Sequence, residues 1–166
     1  MRQLLGHSDT PEDGDKVICC RNYWETQSDQ ETALINGTIG TIHNSFSSFN
    51  SIPAFLTSDR KPKKVDVLCA AFIGDCGENY NTLTMDKKMI LEGEKSLDWK
   101  TEYRLGKNRP FLVPMEFTYA YAITCHKSQG SEWDKVLVIE EKFPFSEEEH
   151  ARWLYTACTR ASEKLV

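Results

Sequence analysis

A short apolar run, Lys135–Glu140 (KVLVIE), is followed closely by a stretch with the marks of an amphipathic helix. A continuous β-branched run of that length suits a strand covered on both faces. In PFSEEEHARWLYTACTRASEK, Ser146 can cap a helix and Glu149, three residues on, completes a capping box. Trp153, Leu154, Ala157 and Ala161 then recur at helical spacing. A strand feeding a helix in so short a space points to part of a parallel α/β layer. The preceding two thirds of the chain follow another pattern. DKVICCRNY, after the turn signal at Gly14-Asp15, predicts a strand within 14–23, and INGTIGTIHNSF predicts a turn feeding a strand. Lys64–Ile73 reads as a third strand and Thr82–Leu91 as a weaker fourth. Asn22–Leu34 and Asn44–Pro62 read as loops, and Glu92–Pro110 as partly helical. Short strands separated by turns suggest a small barrel. The expected fold class is therefore α/β with a β-rich insert.

Composition narrows the function classes. The 166 residues suffice for one domain, or one carrying a small insert. A net charge of −5 argues against a protein coated in basic surface. Two basic clusters still leave room for a local groove: Arg60, Lys61, Lys63, Lys64, and Lys100, Arg104, Lys107, Arg109. Each cluster taken alone reads as a solvated loop. Runs such as Val136–Ile139 are far too short to cross a bilayer, so no membrane partner is expected. None of the six cysteines forms a C-x-x-C pair, and several sit in apolar runs as small hydrophobes, which predicts reduced thiols of a cytoplasmic protein. His7, His43 and His150 fit no ligand spacing, so no metal site is assigned. The polar, breaker-rich start and the end on EKLV both read as cuts from a longer chain.

The polar stretch AITCHKSQGSEWD, Ala122–Asp134, stands between apolar segments. Ligands of open α/β sheets gather at the carboxyl ends of strands, and Thr124, His126, Lys127, Ser128 and Gln129 fall at such an edge. On an extended backbone Thr124 and His126 point the same way and can donate to successive phosphates of a nucleic-acid strand. Gly130 permits close backbone approach, and Glu132 can accept from a ribose hydroxyl. The alternative is a satisfied polar turn under a core Trp. Arg160 has no carboxylate at i−4 or i−3, where Thr156 and Ala157 stand, so its planar fork is free to meet a phosphate. Its alternative role is favourable placement at a helix C-terminus.

YAITCHKSQGSEWDKVLVIE and RWLYTACTRASEKLV, in that order and spacing, resemble motifs V and VI of superfamily 1 helicases of the RecD-like branch, also seen in the phage Dda type. Upstream, GDKVICCRNYW and INGTIGTI resemble the SH3-like insert of that branch. The resemblance implies a leading segment at 1–13, an SH3-like barrel at 14–112, and the C-terminal part of a RecA-like motor domain at 113–166. It implies that Thr124, His126 and Lys127 contact single-stranded DNA. Gly130, Glu132 and Gln129 would face nucleotide, Gln129 linking the two sites, and Arg160 would reach the γ-phosphate of ATP.

No G-x-x-x-x-G-K-[ST] occurs, so ATP and Mg²⁺ would be held mainly by an N-terminal RecA-like domain of the same parent chain, which becomes a partner beside DNA and other recombination or replication subunits. No cofactor is expected in this stretch alone. Glu140-Glu141 superficially resembles a magnesium-binding pair, but without a P-loop it reads as a solvated strand end. The competing reading is a non-enzymatic SH3-like module binding protein or nucleic acid. A nuclease has no acid cluster to recommend it.

Overall fold

The computed structural model describes residues 6–140 and 146–166. Glu141 and the first five residues of the leading segment therefore lie outside the described residues. The chain forms two compact units, Met1–Tyr121 and Ala122–Val166.

In the first unit, β1 (Lys16–Cys19), β4 (Ile39–Ile52), β5 (Lys63–Gly74), β6 (Asn79–Asp86) and β7 (Phe117–Tyr119) make one sheet in the order β6-β5-β4-β1-β7. Every neighbouring pair in that order is antiparallel. An odd number of strands cannot close into a barrel with every seam antiparallel, so closure requires one parallel seam. Met115 supplies it. Its N–H donates to Thr84 O (2.7 Å) and its carbonyl accepts from Asp86 N (2.8 Å), a parallel bridge to Met85. The two outer strands of the sheet thus meet through the residue just ahead of β7.

The interior follows from alternation. Val17 and Cys19, Leu68, Ala70 and Phe72, and Leu83 and Met85 send alternate side chains inward. Phe72 lies between Tyr80 and Phe117, ring centroids 5.8 and 5.3 Å away. Each such buried ring contributes about 1.5–3 kcal/mol. Burial pushes the Cys19 thiol up to about 12, so it packs as a neutral hydrophobe. All six cysteines are free.

Three expectations change here. The presumed loop 22–34 contains β2 (Tyr23–Gln27) and β3 (Ala33–Leu34), which pair with each other. The weak strand at 82–91 ends at Asp86, whose carboxylate accepts from Lys88 N and Met89 N and starts α1 (Lys87–Glu92). The presumed loop Asn44–Pro62 begins as strand: β4 continues to Ile52, paired with β5 as far as Ile52↔Lys63, and only 53–62 is a connection. On β4, β1 pairs only with Ile39–Thr41, so the outer part of β4 is paired with β5 alone. Ile52, Val65 and Val67 there bury against Leu56, Leu97 and Leu105, a second small core under α2 (Trp99–Asn108).

Asp98 caps α2. Its carboxylate accepts from Thr101 Oγ1 (2.7 Å), Thr101 N (3.1 Å) and Ser58 Oγ (3.0 Å). The Thr101 hydroxyl above all holds its pKa below the ordinary 3.8, at about 2. A depressed carboxylate stabilises the fold above its unfolded value, and that contribution disappears as pH falls from about 3.8 through about 2. Asp98→Ala is expected to cost about 1 kcal/mol at pH 7. In urea titrations at successive pH values, the gap between parent and variant should shrink from about pH 4 towards pH 2.

The second unit is a strand–helix–strand unit. β8 (Trp133–Val136) and β9 (Ala161–Leu165) pair in parallel, with α3 (Glu147–Cys158) between them in sequence. The pairing continues past β8, Val166 N donating to Val136 O and Val138 N to Val166 O, both 2.9 Å. Ser146 and Glu149 make the expected capping box. The expected burial of Lys135–Glu140 on both faces is not found: Val136 and Val138 are half-buried, while Leu137 and Ile139 are 64% and 70% exposed. Alternate side chains point to opposite faces, and within the described residues of this unit only one face is covered. Among the described residues, no helix is long and apolar enough to cross a membrane.

Candidate functional site

The polar stretch folds as a turn, not as the extended segment expected. Cys125–Ser128 is one turn of 3₁₀ helix, and Thr124 Oγ1 accepts from Lys127 N (3.4 Å) at its start. Ser128 Oγ donates to Cys125 O (2.7 Å), which accounts for its burial and gives it a structural role. Gly130 then reverses the chain at φ +84°, a conformation that favours glycine. Thr124 is the extended N-cap of this turn and His126 lies inside it, so the continuous extended segment expected to align the two is absent. The local hydroxyl-to-backbone bond outcompetes the extended form. Thr124, His126, Gln129 and Glu132 are exposed, while Lys127 is half-buried. Among the described residues, the side chains of His126, Gln129 and Glu132 take part in no hydrogen bond.

Arg160 follows the C-cap of α3, Thr159, and leads into β9. Its Nε donates to Thr156 O (3.0 Å), its Nη2 to Thr159 Oγ1 (3.0 Å) and its Nη1 to Ser131 O (3.2 Å). The Thr156 bond is the helix-end role left open by the sequence. The Ser131 bond is a second role, since it ties the guanidinium to the polar turn. Main-chain pairing reinforces it: Trp133 N donates to Arg160 O (2.9 Å), and Trp133 stands in register with Ala161. Every acceptor of Arg160 is neutral, and among the described residues no carboxylate pairs with it. Three of its five N–H donors are used, so the half-buried fork keeps spare donors and an uncompensated charge.

Cys125 sits against the same elements, its Sγ 3.6 Å from Trp153 O. Burial pushes its thiol up, opposed by the Arg160 charge and by a hydrogen bond with Ser128. Neither Ser131 nor Cys125 stood out in the sequence. Both act through backbone carbonyls or packing, which residue type does not disclose. Among the described residues, no group of three His, Cys, Asp or Glu side chains is placed to hold a metal ion.

The structure thus brings Arg160 onto the Ser131–Trp133 end of the polar stretch, beside Gly130 and Glu132 in sequence. Thr124, His126 and Lys127 occupy the turn at its other end. No curated protein matches the chain. Residues 119–166 match the family model of the UvrD-like helicase C-terminal domain, so this stretch is similar to the C-terminal end of a superfamily 1 helicase.

Proposed function

We propose that the chain is the C-terminal part of a RecD-like superfamily 1 DNA helicase, acting in the cytoplasm. In this reading 14–112 is an SH3-like insert and 113–166 belongs to the second RecA-like motor domain. ATP binds in the cleft with an N-terminal RecA-like domain of the parent chain. One observation carries the reading: the Arg160 guanidinium, which no carboxylate among the described residues pairs with, is hydrogen-bonded to the backbone of the polar turn.

Arg160 has the chemistry of a γ-phosphate ligand, being permanently charged, planar and supplied with spare donors. Bound ATP supplies the phosphoryl group whose hydrolysis drives the motor. Gly130, Glu132 and Gln129 lie on the nucleotide side, while Thr124, His126 and Lys127 meet the single-stranded DNA backbone. A pull on Arg160 is passed through Ser131 and Trp133 to that turn, so cleft closure and grip on the strand are linked. Magnesium would be held mainly by the P-loop half of the parent chain. The exposed Leu137 and Ile139 suit this arrangement, since strands of parallel sheets are ordinarily covered on both faces.

The 166-residue chain alone is expected to show no ATP turnover with or without DNA. In the parent helicase, His126→Ala should raise the DNA concentration needed for half-maximal stimulation several-fold, leaving basal turnover unchanged. DNA-stimulated hydrolysis by the isolated chain at the rate of a complete motor would overturn the reading.

A further inference from the structure

The two basic clusters of the first unit converge. Ser58 N donates to Thr101 Oγ1 (3.0 Å) and Arg104 Nη1 to Thr57 O (2.5 Å), which fastens the hairpin tip to α2. Thr57 Oγ1 also donates to Lys61 O (2.8 Å), so the exposed basic residues of the tip are held next to the helix.

Helix α2 packs inward through Thr101 and Leu105. At about 100° per residue, the opposite face carries Trp99, Tyr103, Gly106 and Lys107, with Lys100 at its border. Trp99 is 71% and Tyr103 58% exposed, a large outlay of aromatic surface for one short helix. A cation attends each ring: Lys107 Nζ lies 4.6 Å from the Tyr103 centroid and Lys100 Nζ 5.8 Å from that of Trp99. Gly106 leaves the face open, since a Cβ there would meet nothing within 4 Å.

Glu102 is paired with cations, while Asp98 and Asp59 keep their charge on neutral donors and are outnumbered by the exposed Arg60, Lys61, Lys100 and Lys107. Asp98 accepts from Ser58 and Thr101, and Glu102 lies between Arg21 and Lys95. Asp59 accepts from Lys61 N (3.1 Å) within its own loop. The face therefore offers rings and ammonium groups to a ligand that has planar groups and negative charge. A protein covering it would have to desolvate the lysines beside both rings, whereas a phosphate chain complements them.

We propose that the outward face of α2, with the adjoining hairpin tip, binds single-stranded nucleic acid. Bases stack on Trp99 and Tyr103, and phosphates meet Lys100, Lys107 and Lys61. This surface belongs to the first unit, whereas the turn at Thr124–Ser128 belongs to the second, and it rests on the proposed function only for the source of the strand.

The test is titration of the whole 166-residue chain with a dT16 oligonucleotide at low salt, followed by anisotropy and tryptophan fluorescence. The parent is expected to bind with quenching, and the duplex dT16·dA16 to give none. Trp99→Ala with Tyr103→Ala should weaken binding by tenfold or more, with an unchanged melting temperature, because both rings are exposed. Trp99→Phe should keep affinity and lose most of the quench. Lys100→Gln with Lys107→Gln should reduce the slope of log affinity against log salt by about 1.4. Unchanged dT16 affinity in the Trp99/Tyr103 double variant, or equal quenching by the duplex, would overturn the proposal. Loss of binding with His126→Ala alone would also overturn it, yet would leave the proposed function standing.

Discussion

Arg160→Ala, made in the proposed parent motor, is expected to lower ATP turnover by about 10³–10⁵ while leaving strand binding nearly unchanged. An arginine acting on the transferring phosphoryl group stabilises charge that develops during the reaction, so the loss falls on kcat more than on KM. The geometry here adds a mechanical element. The guanidinium is held by Thr156 O, Thr159 Oγ1 and Ser131 O, so its fork is aimed before nucleotide arrives. Arg160→Lys should therefore rescue little, because an ammonium cannot hold three divergent acceptors and a phosphate together. Folding should survive either change, since the Trp133 N to Arg160 O bond uses main chain. Single-turnover hydrolysis with saturating ATP checks the expectation, beside a urea titration. An Arg160→Ala motor within tenfold of the parent in turnover would remove the arginine from the chemistry and reduce it to a helix-end contact.

Gly40→Ala should be the most damaging single-methyl change in the barrel. A Cβ at Gly40 would lie 2.1 Å from Ile73 O, 2.7 Å from Ile73 C and 2.8 Å from Gly74 Cα. All three are backbone atoms and cannot swing aside. Gly40 pairs with Gly74 on one side and with Val17 on the other, so β5 or β1 must shift to admit the methyl group. A cost of about 3 kcal/mol or more follows, or about 10 °C in melting temperature for a chain of this size. Gly106→Ala is the matched control: helical, unobstructed, and expected to be stabilising by about 0.5–1 kcal/mol. Calorimetry of the two variants checks the contrast. Equal melting temperatures would show that the β4–β5 pair yields at this point.

Which parts could be read from residue order alone follows from where the controlling interactions lie. The start of α3 was legible because Ser146 and Glu149 satisfy each other within one turn, a local bond with a local signature. The outer half of β4 was not. Its Ser and Asn residues are poor strand formers that outnumber Phe46 and Phe49, and it is extended because Val65 and Val67 of β5 offer a partner with a buried face. The polar turn shows the same limit at finer scale. Thr124 carries no mark of whether its hydroxyl will face a ligand or its own backbone, and the 3₁₀ turn is set by the latter. Arg160 lacked a carboxylate at i−4 or i−3, and among the described residues the folded chain pairs it with none either. Its bond to Ser131 was illegible because any residue supplies a carbonyl.

The parallel seam at Met115 has an evolutionary consequence. Strands that run the same way cannot be joined by a tight turn; they need a long crossover. Residues 87–114, which carry α1 and α2, serve as that detour between β6 and β7. Because topology demands some excursion there but dictates little of its contents, it is the part of the first unit freest to lengthen, shorten or acquire a new binding surface by mutation while the barrel stays intact.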